Sequence, residues 1–264
     1  MRVFITGASG NVGRTIIRSM KDYPAFELAG GWCRQSGKDM GLLAGIEANG
    51  VLTAESLSSG LAGSLPDVVI DFSVTPILEQ NMKEYLNFGL NAVIGTTGLT
   101  DEQFAPYIRG VEERGLRWAA IANYGLGISF VQDFIKLIRE YYPYVSIIDR
   151  HHEKMANAPS GTAADLAHAA KGENGQVDSK ESYPGVLAGK VHGVQVISQR
   201  LPWPGPFSEH EVLLGRHDEV IKITVTDYTS DIYTDGVYLT AQTLPLLPPG
   251  SFVRSLSEIR NYPR

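Results

Sequence analysis

The sequence predicts a two-domain α/β protein: an amino-terminal doubly wound parallel sheet, followed by a central α+β domain with a mostly antiparallel sheet. Three observations carry that prediction. An apolar strand at the amino terminus runs through a glycine-spaced turn into a helix. Apolar strands then alternate with helical stretches as far as Asn123. Beyond it the hydrophobic period shifts to two, the alternation of strands with one wet face.

Arg2 to Thr6 is the first strand, Gly7 to Gly13 the turn, and Arg14 to Lys21 a helix with Ile16, Ile17 and Met20 on its apolar face. Strands follow at Phe26 to Trp32, Val68 to Phe72, Ala92 to Gly95 and Trp118 to Ile121; their apolar character suits a sheet covered on both faces. Helices at Pro76 to Phe88 and Asp101 to Arg114 supply the right-handed crossovers. After Asn123 come a helix from Phe130 to Tyr141, a strand from Tyr144 to Arg150 and a helix-prone run from Ala163 to Ala167. The polar stretch from Gly172 to Gly185 reads as a mobile loop. Val191 to Arg200, His210 to Leu214 and Val220 to Thr226 alternate and predict antiparallel strands. Pro202, Trp203, Pro204, Gly205 and Pro206 form a rigid turn, with Trp203 as a lid, an interface anchor or a packed surface residue.

With 264 residues and 43% hydrophobic content, the chain can bury a large core in two domains. Its 23 basic and 29 acidic side chains leave a net charge of −6, which argues against nucleic acid or an anionic membrane as partner. An anionic ligand must then be held by local groups. Cys33 is the only cysteine, so no internal disulfide and no thiolate metal cluster are expected, and no metal is assigned. Met1-Arg2 passes straight into Val3-Phe4-Ile5, and no run approaches membrane-spanning length; the expected location is the cytoplasm.

Two motifs point to chemistry. Gly7, Gly10 and Gly13, spaced G-x-x-G-x-x-G between strand and helix, let backbone amides approach a pyrophosphate and predict a dinucleotide cofactor. A free ribose 2′-hydroxyl calls for an acid at the end of the second strand, but the sequence there is Trp32-Cys33-Arg34-Gln35-Ser36. Arg34, flanked by Arg14, suits a 2′-phosphate, so NADPH is preferred and NADH is possible; the alternative is that Arg34 is a solvated loop cation. Asp71-Phe72-Ser73 and Gly95-Thr96-Thr97-Gly98 fall at strand ends, where small residues can lie along a nicotinamide or simply make turns.

The second motif is His151-His152-Glu153-Lys154-Met155-Ala156-Asn157-Ala158-Pro159-Ser160-Gly161-Thr162-Ala163. Pro159, Ser160, Gly161 and Thr162 precede a helix, whose unpaired N–H groups and positive dipole end favour a carboxylate. His151, His152 and Lys154 bring charge and protons to the same stretch. The plainer reading is a histidine-bearing loop ahead of an N-capped helix.

Taken in order, Gly7-Ala8-Ser9-Gly10-Asn11-Val12-Gly13-Arg14, Asp71-Phe72-Ser73, Gly95-Thr96-Thr97-Gly98, Ala122-Asn123-Tyr124, His151-His152, Pro159-Ser160-Gly161-Thr162-Ala163 and His210-Glu211-Val212 resemble the dihydrodipicolinate reductase family over nearly the whole chain. The resemblance implies a Rossmann domain over 1–124, completed by 237–264, and a substrate-binding and oligomerisation domain over 125–236 that assembles a homotetramer, with a homodimer as the alternative. It implies hydride transfer to a conjugated cyclic imine carrying two carboxylates, followed by protonation. By carry-over, His151 is a catalytic candidate, joined by Lys154 as the displaced lysine, and His152, Ser160, Gly161 and Thr162 are the substrate-binding ones. Gly7, Ser9, Gly10, Asn11, Val12, Gly13, Arg34, Phe72, Ser73, Gly95, Thr97, Ala122 and Asn123 would bind the cofactor.

The match departs from the family pattern at the proton donor. The slot of the family's acidic lysine is Met155, the lysine stands one place earlier at Lys154, and the usual aspartate is Asn157. Methionine has no proton to transfer. Val225, Thr226 and Ser230 stand where the resemblance implies histidine and arginine, which implies an altered dicarboxylate pocket. Two expectations follow: an NADPH-dependent reductase of a cyclic imine acid with the same or a changed substrate, or an impaired NADPH-binding paralogue acting as a sensor or assembly protein.

Overall fold

The computed structural model describes residues 1–155, 157–173, 175, 179–202 and 208–263. Residues 174 and 176–178 of the stretch read as a mobile loop, and Trp203, Pro204, Gly205 and Pro206 of the rigid turn, lie outside them. The chain forms two compact units, Met1–Gly125 with Ser230–Arg264, and Leu126–Thr229.

The first unit begins β1 (Arg2–Thr6), α1 (Asn11–Ser19), β2 (Glu27–Trp32), α2 (Met40–Ala44), α3 (Leu57–Ser64), β3 (Val68–Asp71), α4 (Thr75–Asn87), β4 (Asn91–Ile94), α5 (Asp101–Arg114) and β5 (Trp118–Ala120). In the second unit follow α6 (Leu126–Ile138), β6 (Tyr144–His152), α7 (Gly161–Ala169), β7 (Gly189–Val191), β8 (Val194–Leu201), β9 (Ser208–Arg216) and β10 (Glu219–Asp227). The chain then returns to the first unit for α8 (Thr234–Thr243), β11 (Phe252–Val253) and α9 (Leu256–Arg260).

The first sheet has the order β11-β5-β4-β3-β1-β2, every pair parallel. Strand order reverses between β1 and β3, where the ends of these strands open the crevice such folds use for ligands. Phe4, Val69, Leu78, Met82, Tyr85 and Trp118 are buried in its core. α1 starts at Asn11, three residues before the helix read from the sequence, because Gly13 packs against the turn rather than extending it. α2 and α3 are too short for a periodic signal. Their caps are legible in hindsight: Asp39 accepts from the Leu42 N–H and Ser56 from the Ser59 N–H.

In the second unit the order is β10-β9-β6-β8-β7, and α6 and α7 bury Ile128, Val131, Ile135, Leu166 and Ala167 against Val145, Ile147, Val196 and Val212. α6 begins at Leu126 rather than Phe130, because Ile128 already faces this core. One expectation is corrected. β8 runs parallel to β6, although β9, β10 and β7 pair antiparallel with their neighbours. The chain leaves β6 and crosses back through α7 before β8, and a crossover of that kind delivers a parallel strand. Among the described residues no helix is long and apolar enough to cross a membrane.

Candidate active site

In the first unit the glycine turn is held in close backbone contact at Gly7 and Gly13. Gly7 has φ +83°, a left-handed conformation that favours glycine, and its N–H and that of Ala8 donate to the Trp32 carbonyl at 2.9 and 3.2 Å. A Cβ on Gly7 would collide with the Phe72 carbonyl oxygen and sit 2.9 Å from the Ser73 nitrogen. One on Gly13 would collide with the Gly7 carbonyl oxygen and sit 3.1 Å from Ala8 Cα. Helix and turn are thus in backbone contact, and exposed Gly10 is the N-cap of α1 with no side-chain hydrogen bond; exposed Asn11, half-buried Val12 and buried Gly13 form the first turn beside half-buried Ser9. These residues fit a pyrophosphate.

Beside the turn, Asp71 at the end of β3 is fully buried and accepts from the Ser73 N–H (2.8 Å), Thr96 hydroxyl (2.8 Å), Asn81 amide (3.1 Å) and Tyr85 hydroxyl (2.6 Å). One carboxylate therefore ties together the strand ends carrying Ser73 and Thr96. Burial first, and then the Asp71 charge, push the Tyr85 phenol well above its ordinary value, keeping it a hydrogen-bond donor. The Phe72 ring fills the space beside Gly95, where a Cβ would collide with it. Thr97 is exposed and its backbone carbonyl accepts from the Thr75 hydroxyl (2.8 Å); the side-chain Oδ1 of buried Asn123 accepts from the Gly125 N–H (2.6 Å), and Ala122 is half-buried. Arg14 and Arg34 are both exposed.

In the second unit, strand alternation places Val145, Ile147, Asp149 and His151 on the helix-facing side of β6, so that face turns from apolar to polar beneath the start of α7. Asp149 pairs in register with His210 on β9 and Ser198 on β8. Its carboxylate is fully buried and surrounded by donors. Oδ1 lies 2.8 Å from the Ser160 hydroxyl, 2.9 Å from His151 Nε2 and 3.3 Å from His210 Nε2. Oδ2 accepts from the Ser160 N–H (3.0 Å), the Ser198 hydroxyl (3.1 Å) and Arg200 Nη2 (2.9 Å). His151 Nε2 meets Oδ1 off the line of its ring N–H, a close charge contact rather than a directed bond. Burial alone pushes the Asp149 carboxyl up, but the contacts of His151, His210, Ser160 and Arg200 outweigh it and hold it well below the usual carboxylate range.

Ser160 is the N-cap of α7, its hydroxyl accepting from the Ala163 N–H at 3.2 Å, and is buried. Gly161 is exposed and Thr162 buried in the first turn that follows. His152 lies on the opposite face of β6, exposed, with Nδ1 accepting from the Lys154 N–H at 3.2 Å. Lys154 and Met155 are also exposed. The fold brings His151 and Ser160 together through Asp149 and leaves His152 and Lys154 on the rim. Half-buried Val225 packs against the core of this unit and the Thr226 hydroxyl donates to Glu209 at 3.1 Å, while in the first unit Ser230 is buried against the Thr15 hydroxyl at 2.7 Å.

Sequence reasoning passed over Asp149, Ser198 and Arg200 and gave His210 no role. The signal for Asp149 was parity: an acid two places after Ile147 must face the core. Ligating atoms of Asp149, His151 and His210 lie within 4.8 Å of one another, close enough for a metal ion. Arg200 already neutralises the carboxylate, and Ser160 occupies Oδ1 as well, so the group has the chemistry of a hydrogen-bonded anion.

Residues 1–120 match the family model described as dihydrodipicolinate reductase, N-terminus, and residues 126–256 the one described as dihydrodipicolinate reductase, C-terminus. The chain is 33% identical over 251 residues to the 4-hydroxy-tetrahydrodipicolinate reductase of Desulfitobacterium hafniense (strain DSM 10664 / DCB-2), covering 90% of this chain and 91% of that protein. It is 30% identical over 244 residues to the enzyme of the same name from Moorella thermoacetica, again covering 90% and 91%. Among solved structures, the dipicolinate-bound dihydrodipicolinate reductase from Paenisporosarcina sp. TG-14 superposes with a TM-score of 0.80 over 98% of this chain and 99% of that one; at 24% identity the likeness is one of fold.

Proposed function

The chain belongs to the dihydrodipicolinate reductase family, matched in both halves, and from that premise we propose that it is an NADPH-dependent reductase of a cyclic imine dicarboxylic acid. The observation that carries the proposal is the buried Asp149 cluster, which joins His151 to the helix start of Pro159-Ser160-Gly161-Thr162 in a chain that also keeps a glycine turn held in close backbone contact.

The first unit supplies the nucleotide site: the amides of Asn11, Val12 and Gly13 receive the pyrophosphate, Arg34 the 2′-phosphate, and Ser73, Gly95, Thr97 and Ala122 line the nicotinamide half. The second unit supplies the acid site, with Gly161 and Thr162 at the positive end of α7 holding one substrate carboxylate and His152 adding a contact. A bound dihydronicotinamide supplies hydride to the conjugated ring. One proton from His151 completes the reduction, so the ring gains two electrons and two hydrogens. Met155 has no proton to give, and exposed Lys154 contributes charge toward the dianion. Positioning and charge stabilisation of this kind provide much of such a rate. The buried free thiol of Cys33 agrees with a reducing cytoplasm, and we propose a homotetramer or homodimer, to be settled by light scattering.

The test is NADPH oxidation with enzymatically generated 4-hydroxy-tetrahydrodipicolinate and then with other cyclic imine acids. Turnover with one of them is expected, and Thr162→Val should raise its KM while leaving the cofactor Kd unchanged. Tight NADPH binding without oxidation by any of them would reverse the conclusion in favour of a binding protein.

A further inference from the structure

The two tasks given to the second unit, delivering a proton and holding a carboxylate, fall to groups on different elements, His151 on β6 and the first turn of α7. A single side chain joins them. We propose that Asp149 is the positioning residue of this site, a buried carboxylate that fixes the His151 ring and the N-terminus of α7 in one arrangement. The inference rests on the reading of this unit as the substrate-binding half of a reductase.

The link is continuous. His151 Nε2 lies 2.9 Å from Oδ1, the Ser160 hydroxyl donates to the same oxygen at 2.8 Å, and that hydroxyl accepts from the Ala163 N–H at 3.2 Å inside the first turn of α7. Ser160 grips the carboxylate a second time, its N–H donating to Oδ2 at 3.0 Å, so neither oxygen can turn without moving the start of the helix. Ser198 and Arg200, at 3.1 and 2.9 Å from Oδ2, and His210, at 3.3 Å from Oδ1, anchor the same group to β8 and β9. Ser160, Ser198 and Arg200 present hydrogens to the carboxylate, and His151 and His210 bring ring nitrogens within 3.3 Å of Oδ1.

That pattern requires two acceptor oxygens. Asparagine at this position offers one oxygen and an NH2 group, and the NH2 would face donors on whichever side it occupied. The side chain could then keep the His151 half or the Oδ2 half, not both. A buried aspartate that only staples β6 to its neighbouring strands makes a different prediction. Losing it would lower stability and leave the folded enzyme's constants alone. A positioning residue moves them, because a displacement of about 1 Å in a reacting group costs on the order of 10²-fold in rate.

The experiment compares the full-length parent chain with Asp149→Asn and Ser160→Ala. Four quantities are measured: kcat and KM with the cyclic imine substrate, the Kd of NADPH, the Kd of pyridine-2,6-dicarboxylate by calorimetry, and the melting temperature. For folded Asp149→Asn we expect kcat to fall about 10²-fold and the dicarboxylate Kd to rise about tenfold, with the NADPH Kd unchanged. Ser160→Ala removes the hydroxyl that joins Asp149 Oδ1 to the first turn of α7 but leaves the Ser160 N–H bond to Oδ2 and the His151 contact; its dicarboxylate Kd should rise several-fold. A folded Asp149→Asn protein with both constants within threefold of the parent overturns the proposal. If Asp149→Asn does not fold, unchanged dicarboxylate affinity in Ser160→Ala overturns it instead. A parent that binds the dicarboxylate yet oxidises no NADPH defeats the reductase reading alone, since the loss of dicarboxylate affinity in the two variants still decides the role of Asp149.

Discussion

Two glycines in the first unit should respond to alanine with opposite signs. At Gly13, in the first turn of α1, the new Cβ would collide with the Gly7 carbonyl oxygen and stand 3.0 Å from its carbon and 3.1 Å from Ala8 Cα, where ordinary contact begins at 3.4 Å. All three are backbone atoms of the turn, so no flexible side chain can move aside. Relief requires the turn and helix to separate by roughly 1 Å, and forced overpacking of this kind costs about 1–3 kcal/mol. The better helix propensity of alanine returns about 0.8–1 kcal/mol, leaving Gly13→Ala destabilised by up to about 2 kcal/mol. At Gly63, exposed in α3, a Cβ meets nothing within 4 Å, so propensity acts alone and Gly63→Ala should gain about 0.5–1 kcal/mol. The same 1 Å displacement draws the α1 amides away from the pyrophosphate, and Gly13→Ala should weaken NADPH binding about tenfold, an energy of about 1.4 kcal/mol. Urea denaturation and NADPH fluorescence titration measure the two effects. A Gly13→Ala protein with the parent's midpoint and cofactor affinity would refute the account of the turn, and destabilised Gly63→Ala would refute the account of α3.

Arg34→Ala should weaken NADPH binding about tenfold and leave NADH unchanged, as loss of one charge-assisted contact to a 2′-phosphate requires; equal losses for both cofactors would remove Arg34 from that role. Lys154→Ala should raise the substrate KM several-fold with kcat within about threefold, whereas a kcat loss of about 10²-fold would move proton donation from His151 to Lys154. Burial pushes the Asp149 carboxyl up, yet its contacts hold it well below the aspartate range, so its folded pKa lies under the unfolded value of about 3.9. The stabilisation it contributes is therefore complete above about pH 4 and lost as pH falls below that toward the folded pKa, with a slope of at most about 1.4 kcal/mol per pH unit. Denaturant midpoints measured from pH 5 downward should fall more steeply in the parent than in Asp149→Asn, and parallel curves would contradict the assignment.

Much of the candidate site was legible along the chain because its signals are local. Glycine spacing between a strand and a helix needs only neighbouring residues, and Gly7, Gly10 and Gly13 form the turn that spacing implies. Ser160 before a helix-prone run is likewise a short-range capping pattern, and the Ser160 hydroxyl does cap α7. Lys154 could be read as the lysine moved one place earlier, with Met155 in its slot, but whether it still serves the site depends on where the strand ends; β6 extends through His152, and both side chains then lie exposed beyond it.

What sequence alone determined was the order and type of the longer elements and the positions of the glycine turn and the capped start of α7, because period, capping and glycine placement act over a few residues. The tertiary structure decided which of those residues meet. Whether β8 runs with or against β6 depends on the path of the crossover, not on the alternation within the strand, which is the same in either direction. Asp149 gathers donors from β6, α7, β8 and β9, and no local pattern links Ser198, Arg200 or His210 to it. Register across the sheet brings them within 3.3 Å, and a buried carboxylate survives there only because all of those donors arrive together.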